Sequence, residues 1–167
     1  MKKRLAIYPG TFDPITNGHL DLVERGLRIF DQLIIAVAPS SRKQPLFDLN
    51  ERIKLIRASI SRYRNVTVES FKGLLVDYAG EKKGIALIRG LRAVSDFENE
   101  FQMALMNRRL DTDIETVFLM PHEEYSFLSS TIVKEVASFG GSVKGLVPEI
   151  VEIALRKKFH TAKDVEK

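Results

Sequence analysis

The sequence predicts a single-domain α/β protein: a doubly wound, parallel, five-stranded sheet with helices on both faces. Three observations lead there. Short apolar, β-rich runs alternate with longer amphipathic patterns along the chain. No internal repeat, low-complexity stretch or linker interrupts the 167 residues, so 1–167 reads as one domain, large enough to bury a core. Finally, a segment dense in proline and glycine, Tyr8 to His19, sits between the first strand and the first helix. In such sheets that is where ligands bind.

The elements follow in order. Leu5–Tyr8 is the first strand, and the helix after it starts at Leu20, with Leu20, Val23, Leu27 and Phe30 on one face. Leu33–Ala38 is the second strand. Its helix carries Leu49, Ile53, Ile56 and Ile60 on one face and opens on a capping box, Asp48 with Glu51. Val66–Glu69 is the third strand and Leu74–Lys82 the third helix. Ile85–Ile88 precedes a helix over Ser95–Leu110, where Ser95 and Glu98 have capping-box spacing and Phe97, Phe101, Ala104 and Leu105 form an apolar stripe. After the fifth strand, Thr116–Met120, a helix over Ser129–Phe139 ends at Gly140-Gly141. The last helix, Val147–Phe159, has Pro148 in its first turn, and the tail from about residue 160 is expected to be flexible. Successive βα units with right-handed crossovers make a Rossmann-like arrangement.

Composition narrows the function. Cysteine is absent, which removes disulfides and thiolate metal sites. No apolar run approaches the ~20 residues of a membrane helix. Met-Lys-Lys-Arg is basic, but only Leu5–Tyr8 separates it from Pro9, too short for a signal peptide, so a cytoplasmic location is expected. There are 26 basic and 22 acidic residues, net +4, and they are interleaved. A nucleic-acid binder would concentrate its basic residues in a stripe with aromatics. The densest run, Arg156-Lys157-Lys158, suits the C-terminal end of a helix. A small positive excess suits a phosphate-rich small ligand.

The Tyr8–His19 loop has the parts of a phosphate site. Pro9-Gly10 breaks the strand, and Gly10 allows a ligand close to the backbone. Gly18 does the same before a helix whose start at His19–Leu20 offers unpaired N–H groups. Thr11 and Thr16 add hydroxyls and His19 a ring N–H. Neither G-x-x-x-x-G-K-[ST] nor G-x-G-x-x-G is present. Asp13-Pro14 reads as an Asx-type turn. Taken alone, His19 reads as a helix-start residue with a structural hydrogen bond.

The whole stretch says more. Gly10 to His19, G-T-F-D-P-I-T-N-G-H, resembles the (H/T)-x-G-H signature of the nucleotidyltransferase superfamily, with Thr16 and His19 as its first and last members. Leu128-Ser129-Ser130-Thr131 resembles its second signature, an I-S-S-T-type helix start, and Lys134 stands where relatives outside this branch carry arginine. Ile88-Arg89-Gly90-Leu91-Arg92-Ala93, Asp96-Phe97-Glu98 with Glu100, and Met106-Asn107-Arg108 resemble the phosphopantetheine adenylyltransferase family. The likeness runs from Tyr8 to about Leu155.

That resemblance implies transfer of the adenylyl group of ATP to 4′-phosphopantetheine, giving dephospho-coenzyme A and pyrophosphate, by direct in-line attack with no covalent enzyme intermediate. Such a nucleophile is already an oxyanion and needs no general base, only positioning and charge neutralisation. By resemblance His19 is the catalytic residue and contacts the α-phosphate. Thr11, Lys43 and Arg89 hold the acceptor phosphate and Leu75 lines the pantetheine arm; Arg42 competes with Lys43. ATP is assigned to Thr11, Phe12, His19, Gly90, Leu91, Arg92 and Glu100. The segment Tyr125, Ser126, Phe127, Leu128, Ser129, Ser130 and Thr131 is assigned to it as well. On the residues alone, Glu100 reads equally as an exposed helix acid, and the Ser129–Thr131 hydroxyls as helix caps. Mg²⁺ is expected to arrive with ATP, with no protein metal site, since the three histidines lie far apart at 19, 122 and 160. The family also implies a homohexamer. Rival readings are a related nucleotide transferase, for nicotinamide mononucleotide or glycerol phosphate, and a nucleotide-binding module without turnover.

Overall fold

The strands are short because each is a single apolar run bounded by turn residues, and all of them pair in parallel. The computed structural model describes residues 3–39, 44–92 and 94–163. In chain order these form β1 (Leu5–Gly10), α1 (Asn17–Ile29), β2 (Gln32–Val37), α2 (Leu49–Ser59), β3 (Val66–Ser70) and α3 (Leu75–Glu81). Then come β4 (Ala86–Gly90), α4 (Val94–Leu110), β5 (Glu115–Leu119), α5 (Ser130–Ser138) and α6 (Glu149–Lys163), with a one-turn 3₁₀ segment at Glu123–Tyr125 before α5. The sheet order is β3-β2-β1-β4-β5, and every neighbouring pair is parallel. The predicted fold class therefore stands.

Alternation along each strand divides the core in two. Ala6 and Tyr8 of β1, Leu33 and Ile35 of β2 and Ile88 of β4 face one layer, where they pack with Leu22 and Val23 of α1, Ile56 of α2, Val133 of α5 and Leu155 of α6. Ile7, Ile34, Ala36 and Leu87 face the other layer and meet Val76, Tyr78 and Ala79 of α3. Both faces of the central strands are dry, which is why these strands read as continuous apolar runs.

Helix boundaries shift in informative ways. α1 begins at Asn17, not Leu20, because Thr16 caps it. Gly18 therefore lies in the first turn instead of before it. α6 begins at Glu149, so Pro148 precedes the helix instead of standing in its first turn. The capping box of Asp48 and Glu51 is present, with Asp48 N–H on Glu51 and Glu51 N–H on Asp48, each at 2.8 Å. α4 begins at Val94, so Ser95 lies within the helix and is not its N-cap. The tail at 164–167 falls outside what is described, as do Arg42, Lys43 and Ala93.

The stripe on α4 does not face the core. Phe97, Phe101 and Leu105 are 45%, 45% and 49% exposed, and Met103, Met106 and Leu110 are also exposed. Among the described side chains of α4 only Asn107 is buried. The helix contacts α3, and among the described residues these apolar side chains remain exposed.

Candidate active site

The chain leaves β1 toward β2 and leaves β4 toward β5, in opposite directions along the sheet. Loops on either side of that reversal diverge and open a crevice at the carboxyl ends of the strands. A cleft of about 530 Å³ occupies this position. Its walls are the loop after β1, the end of β4, the segment from Pro121 to Leu128 and the start of α5.

The loop after β1 is shaped by its own side chains. Phe12 takes a left-handed backbone, φ 49°, and turns its ring back under the loop, where it is 3% exposed. The ring meets Tyr8 edge-on at 5.3 Å and His19 at 5.1 Å. A Cβ on Gly10 would sit 2.9 Å from that ring, so the position needs glycine. The Asp13–Pro14 peptide is cis. Asp13 does not make the expected Asx-type turn. Its carboxylate, 5% exposed, points inward and accepts the N–H groups of Leu46 and Phe47 at 3.0 and 2.9 Å and the Lys134 ammonium at 2.6 Å.

His19 is both a cap and a cleft residue. Thr16 Oγ1 accepts the His19 N–H at 3.4 Å, and His19 Nδ1 accepts the Thr16 N–H at 3.0 Å. This is a capping box with histidine in the usual Glu/Gln place. Because Nδ1 accepts, the neutral ring carries its proton on Nε2, the nitrogen left for a ligand. Burial, aided by the nearby Arg92 guanidinium, pushes its pKa down to about 4. At neutral pH the ring is therefore an uncharged donor. Tyr8 behaves alike: burial raises its phenol above the ordinary value, against the pull of Arg89 and Arg92, and keeps it protonated.

The opposite wall is cationic. Arg89, near the end of β4, donates Nε to Glu100 at 2.6 Å, a second N–H to the same carboxylate, and its third nitrogen to the Pro9 carbonyl at 3.2 Å. Gly90 lets β4 close onto α1, since a Cβ there would meet Leu22 Cδ1 at 2.5 Å. Arg92 donates to the Leu128 carbonyl at 2.9 Å.

At α5 the hydroxyls divide their duties. Ser129 is the N-cap and accepts the Ile132 N–H at 3.1 Å. Ser130 donates to the Pro14 carbonyl at 2.7 Å and so ties the helix to the first loop. Thr131 is exposed at the cleft wall.

Of the residues singled out from sequence, Thr11, Phe12, His19, Arg89, Gly90, Arg92 and Glu100 line the cleft. So do Tyr125, Leu128, Ser129, Ser130 and Thr131. Four do not. Leu75 packs against the core under α3. Leu91 spends its N–H on the Leu119 carbonyl at 3.0 Å. Phe127 is 58% exposed, and neither it nor Ser126 reaches the lining. The cleft also contains Tyr8, Asp13, Gln44, Pro45 and Lys134. Tyr8 reads in sequence as ordinary strand core, and Asp13 as a turn residue. Only its place inside the G-T-F-D-P-I-T-N-G-H motif could have flagged Asp13 for the site. Among the described residues no group of histidines and carboxylates is placed to hold a metal, and no helix is long and apolar enough to cross a membrane.

Comparison with known proteins shows the family of the chain. The cytidylyltransferase-like family matches residues 7–136. The chain is 62% identical to the phosphopantetheine adenylyltransferase of Thermodesulfovibrio yellowstonii, over 93% of this chain and 98% of that one. It is 56% identical to that of Carboxydothermus hydrogenoformans, over 93% and 96%. Among solved structures, a protein of Vibrio parahaemolyticus provisionally assigned as a nicotinate-nucleotide adenylyltransferase superposes with a TM-score of 0.69 over 95% of each chain, at 20% identity. That likeness speaks for the fold.

Proposed function

This chain belongs to the phosphopantetheine adenylyltransferase family, and from that premise we propose how its cleft transfers the adenylyl group of ATP to 4′-phosphopantetheine. An acceptor phosphate oxygen attacks the α-phosphorus in line, the bond to the bridging oxygen breaks, and pyrophosphate leaves with the electron pair. No proton need move and no covalent enzyme intermediate forms.

The observation that carries this reading is the state of His19. Its Nδ1 is held by the Thr16 cap and its pKa lies near 4, so the ring presents one fixed Nε2–H at neutral pH. A neutral, fixed donor is suited to the charge that builds on the α-phosphate in the pentavalent transition state. It is unsuited to acid–base catalysis, which this reaction does not require. Arg89, with Thr11 and by family Lys43, takes the acceptor phosphate. Arg92 and the N–H groups at the start of α5 take the nucleotide phosphates. Tyr125 and Leu128 offer apolar surface beside them for the base.

The two cleft carboxylates are engaged, Asp13 with Lys134 and Glu100 with Arg89. A donor set of arginines, lysine and N–H groups fits phosphate better than a bare cation. Mg²⁺ accordingly enters on ATP as part of the substrate and keeps mostly water ligands. The exposed apolar face of α4 is the surface that a homohexamer would cover, and the enzyme would work in the cytoplasm.

The decisive assay is pyrophosphate release from ATP with phosphopantetheine, with nicotinamide mononucleotide, or with neither. Release is expected with phosphopantetheine only. Release with the mononucleotide instead would assign the cleft to another acceptor, and no release with either would make it a binding module.

A further inference from the structure

Asp13 joins two walls of the cleft that sequence reading treats separately. Its Oδ1 accepts Phe47 N–H at 2.9 Å, and its Oδ2 accepts both Leu46 N–H at 3.0 Å and the Lys134 ammonium at 2.6 Å. Leu46 and Phe47 directly follow Gln44 and Pro45, which line the cleft at the end of the loop after β2. Lys134 rises from α5 one turn beyond Ser130 and lines the wall where the nucleotide phosphates belong. Beneath them Arg52, 2% exposed, donates to the carbonyls of Thr11 at 2.7 Å and Ala38 at 2.9 Å, tying the same loop to the end of β2.

We infer that Asp13 is a positioning residue that sets the distance between the two substrate halves of the cleft, aiming Lys134 at the nucleotide phosphates while holding the Gln44–Pro45 wall on the acceptor side. The inference rests on the adenylyl-transfer reading above. The chemistry demands such a device. Two anions must meet with reacting atoms about 3–3.5 Å apart, and a small misplacement is costly. Hanging both walls on one buried carboxylate fixes their separation. A carboxylate is required because donors approach both oxygens. An amide has one acceptor oxygen and would turn its NH₂ toward a donor. Stability alone is a poor reason for this pair, since buried ion pairs are often no better than apolar packing.

The test compares Asp13→Asn, Lys134→Met and the double variant, each assayed below its melting temperature, with ATP and phosphopantetheine titrated separately by calorimetry. Asp13→Asn is expected to weaken both ligands and to lower kcat by about 10- to 100-fold, the scale of an ångström's misplacement. Lys134→Met should weaken ATP and leave phosphopantetheine unchanged. The double variant should bind ATP no worse than Lys134→Met alone, within the about twofold scatter of such cycles. A folded Asp13→Asn enzyme with parental kcat overturns the inference, and so do losses in ATP affinity that simply add. If Asp13→Asn does not fold, Lys134→Met decides: unchanged ATP affinity leaves Asp13 nothing to aim and overturns the inference, and weakened ATP with intact acceptor binding supports it. An inactive parent enzyme overturns the adenylyl-transfer reading and this inference together, whereas an active parent with an unimpaired Asp13→Asn overturns the inference alone.

Discussion

Arg89 and Glu100 form a two-point ion pair in the cleft, Nε to Oε2 at 2.6 Å and a second guanidinium nitrogen to Oε1. The third nitrogen is held by the Pro9 carbonyl. A guanidinium has five N–H donors, so with three engaged it still offers two to a phosphate. The residue assigned to the acceptor and the residue assigned to the nucleotide are thus bonded to each other. Glu100 fixes the plane in which Arg89 presents its remaining donors.

That pairing changes what Arg89→Ala should do. Removing the cation leaves a largely buried carboxylate facing an anionic nucleotide, so ATP as well as phosphopantetheine should bind at least about 10-fold more weakly, the worth of a charged hydrogen bond. Arg89→Ala combined with Glu100→Gln should recover ATP affinity but not acceptor affinity. Calorimetry with each ligand decides it. An Arg89→Ala enzyme with parental ATP affinity would show that the pair does not couple the two sites.

For His19 the expectation is a loss in kcat of about 10²–10³ on substitution by alanine, with a much smaller change in KM. Because the folded pKa lies below the ordinary 6.5, the unfolded chain binds the extra proton first as pH falls. Stability should therefore drop between pH 6.5 and about 4, by about 3 kcal/mol in all. The His19 ring resonances should titrate near 4, and His19→Ala should flatten that part of the stability curve. A ring that titrates near 6.5 would contradict the neutral-donor role.

The hydroxyls at α5 should separate cleanly. Ser129 caps the helix, so Ser129→Ala should lower stability by about 0.5–2 kcal/mol and affect ATP and AMP alike. Thr131, exposed at the cleft wall, should do the reverse: Thr131→Ala melts like the parent yet loses more affinity for ATP than for AMP, which lacks the β- and γ-phosphates. Thermal melts paired with both titrations check this. If Thr131→Ala binds both nucleotides normally, the triphosphate does not reach α5 through this hydroxyl.

On α4, Phe97 and Phe101 stack at 5.5 Å on the outer surface. A monomer rarely leaves so large an apolar face uncovered. Light scattering should give a mass of several chains for the parent, and Phe101→Glu should shift it toward the single chain of 19.0 kDa. A parent that is monomeric at micromolar concentration would remove the hexamer reading.

Much of this protein is legible locally. Alternating apolar runs specify the strands, because side chains that alternate across a sheet must all be apolar when both faces are covered. The Asp48–Glu51 box and the positive-φ Gly140 after α5 are signals read within a few residues. Sequence reading broke β1 at Pro9-Gly10, whereas the strand runs through both to end at Gly10; the proline- and glycine-dense segment that follows nevertheless marks the cleft at the end of β1. The start of α1 was legible too, had histidine been admitted in the third helical position of a capping box. Apolar periodicity pointed to Leu20 because caps, not stripes, decide where helices begin.

Other features were settled only by the folded chain. Asp13 lies 33 residues from Leu46 and 121 from Lys134, so its carboxylate could look local until the sheet brought those donors to it. Leu91, Ser126 and Phe127 adjoin cleft residues in sequence yet do not line the cleft, and Leu75, distant from them along the chain, packs against the core. The stripe on α4 is apolar whether it covers its own core or another chain's, and periodicity reports only that it wants to be dry. Sequence by itself determined which segments form strands and helices, and which chemistry their connecting loops can hold. Tertiary structure decided which side chains meet, because a hydrogen bond or an ion pair forms at a distance of a few ångströms in space, whatever the separation along the chain.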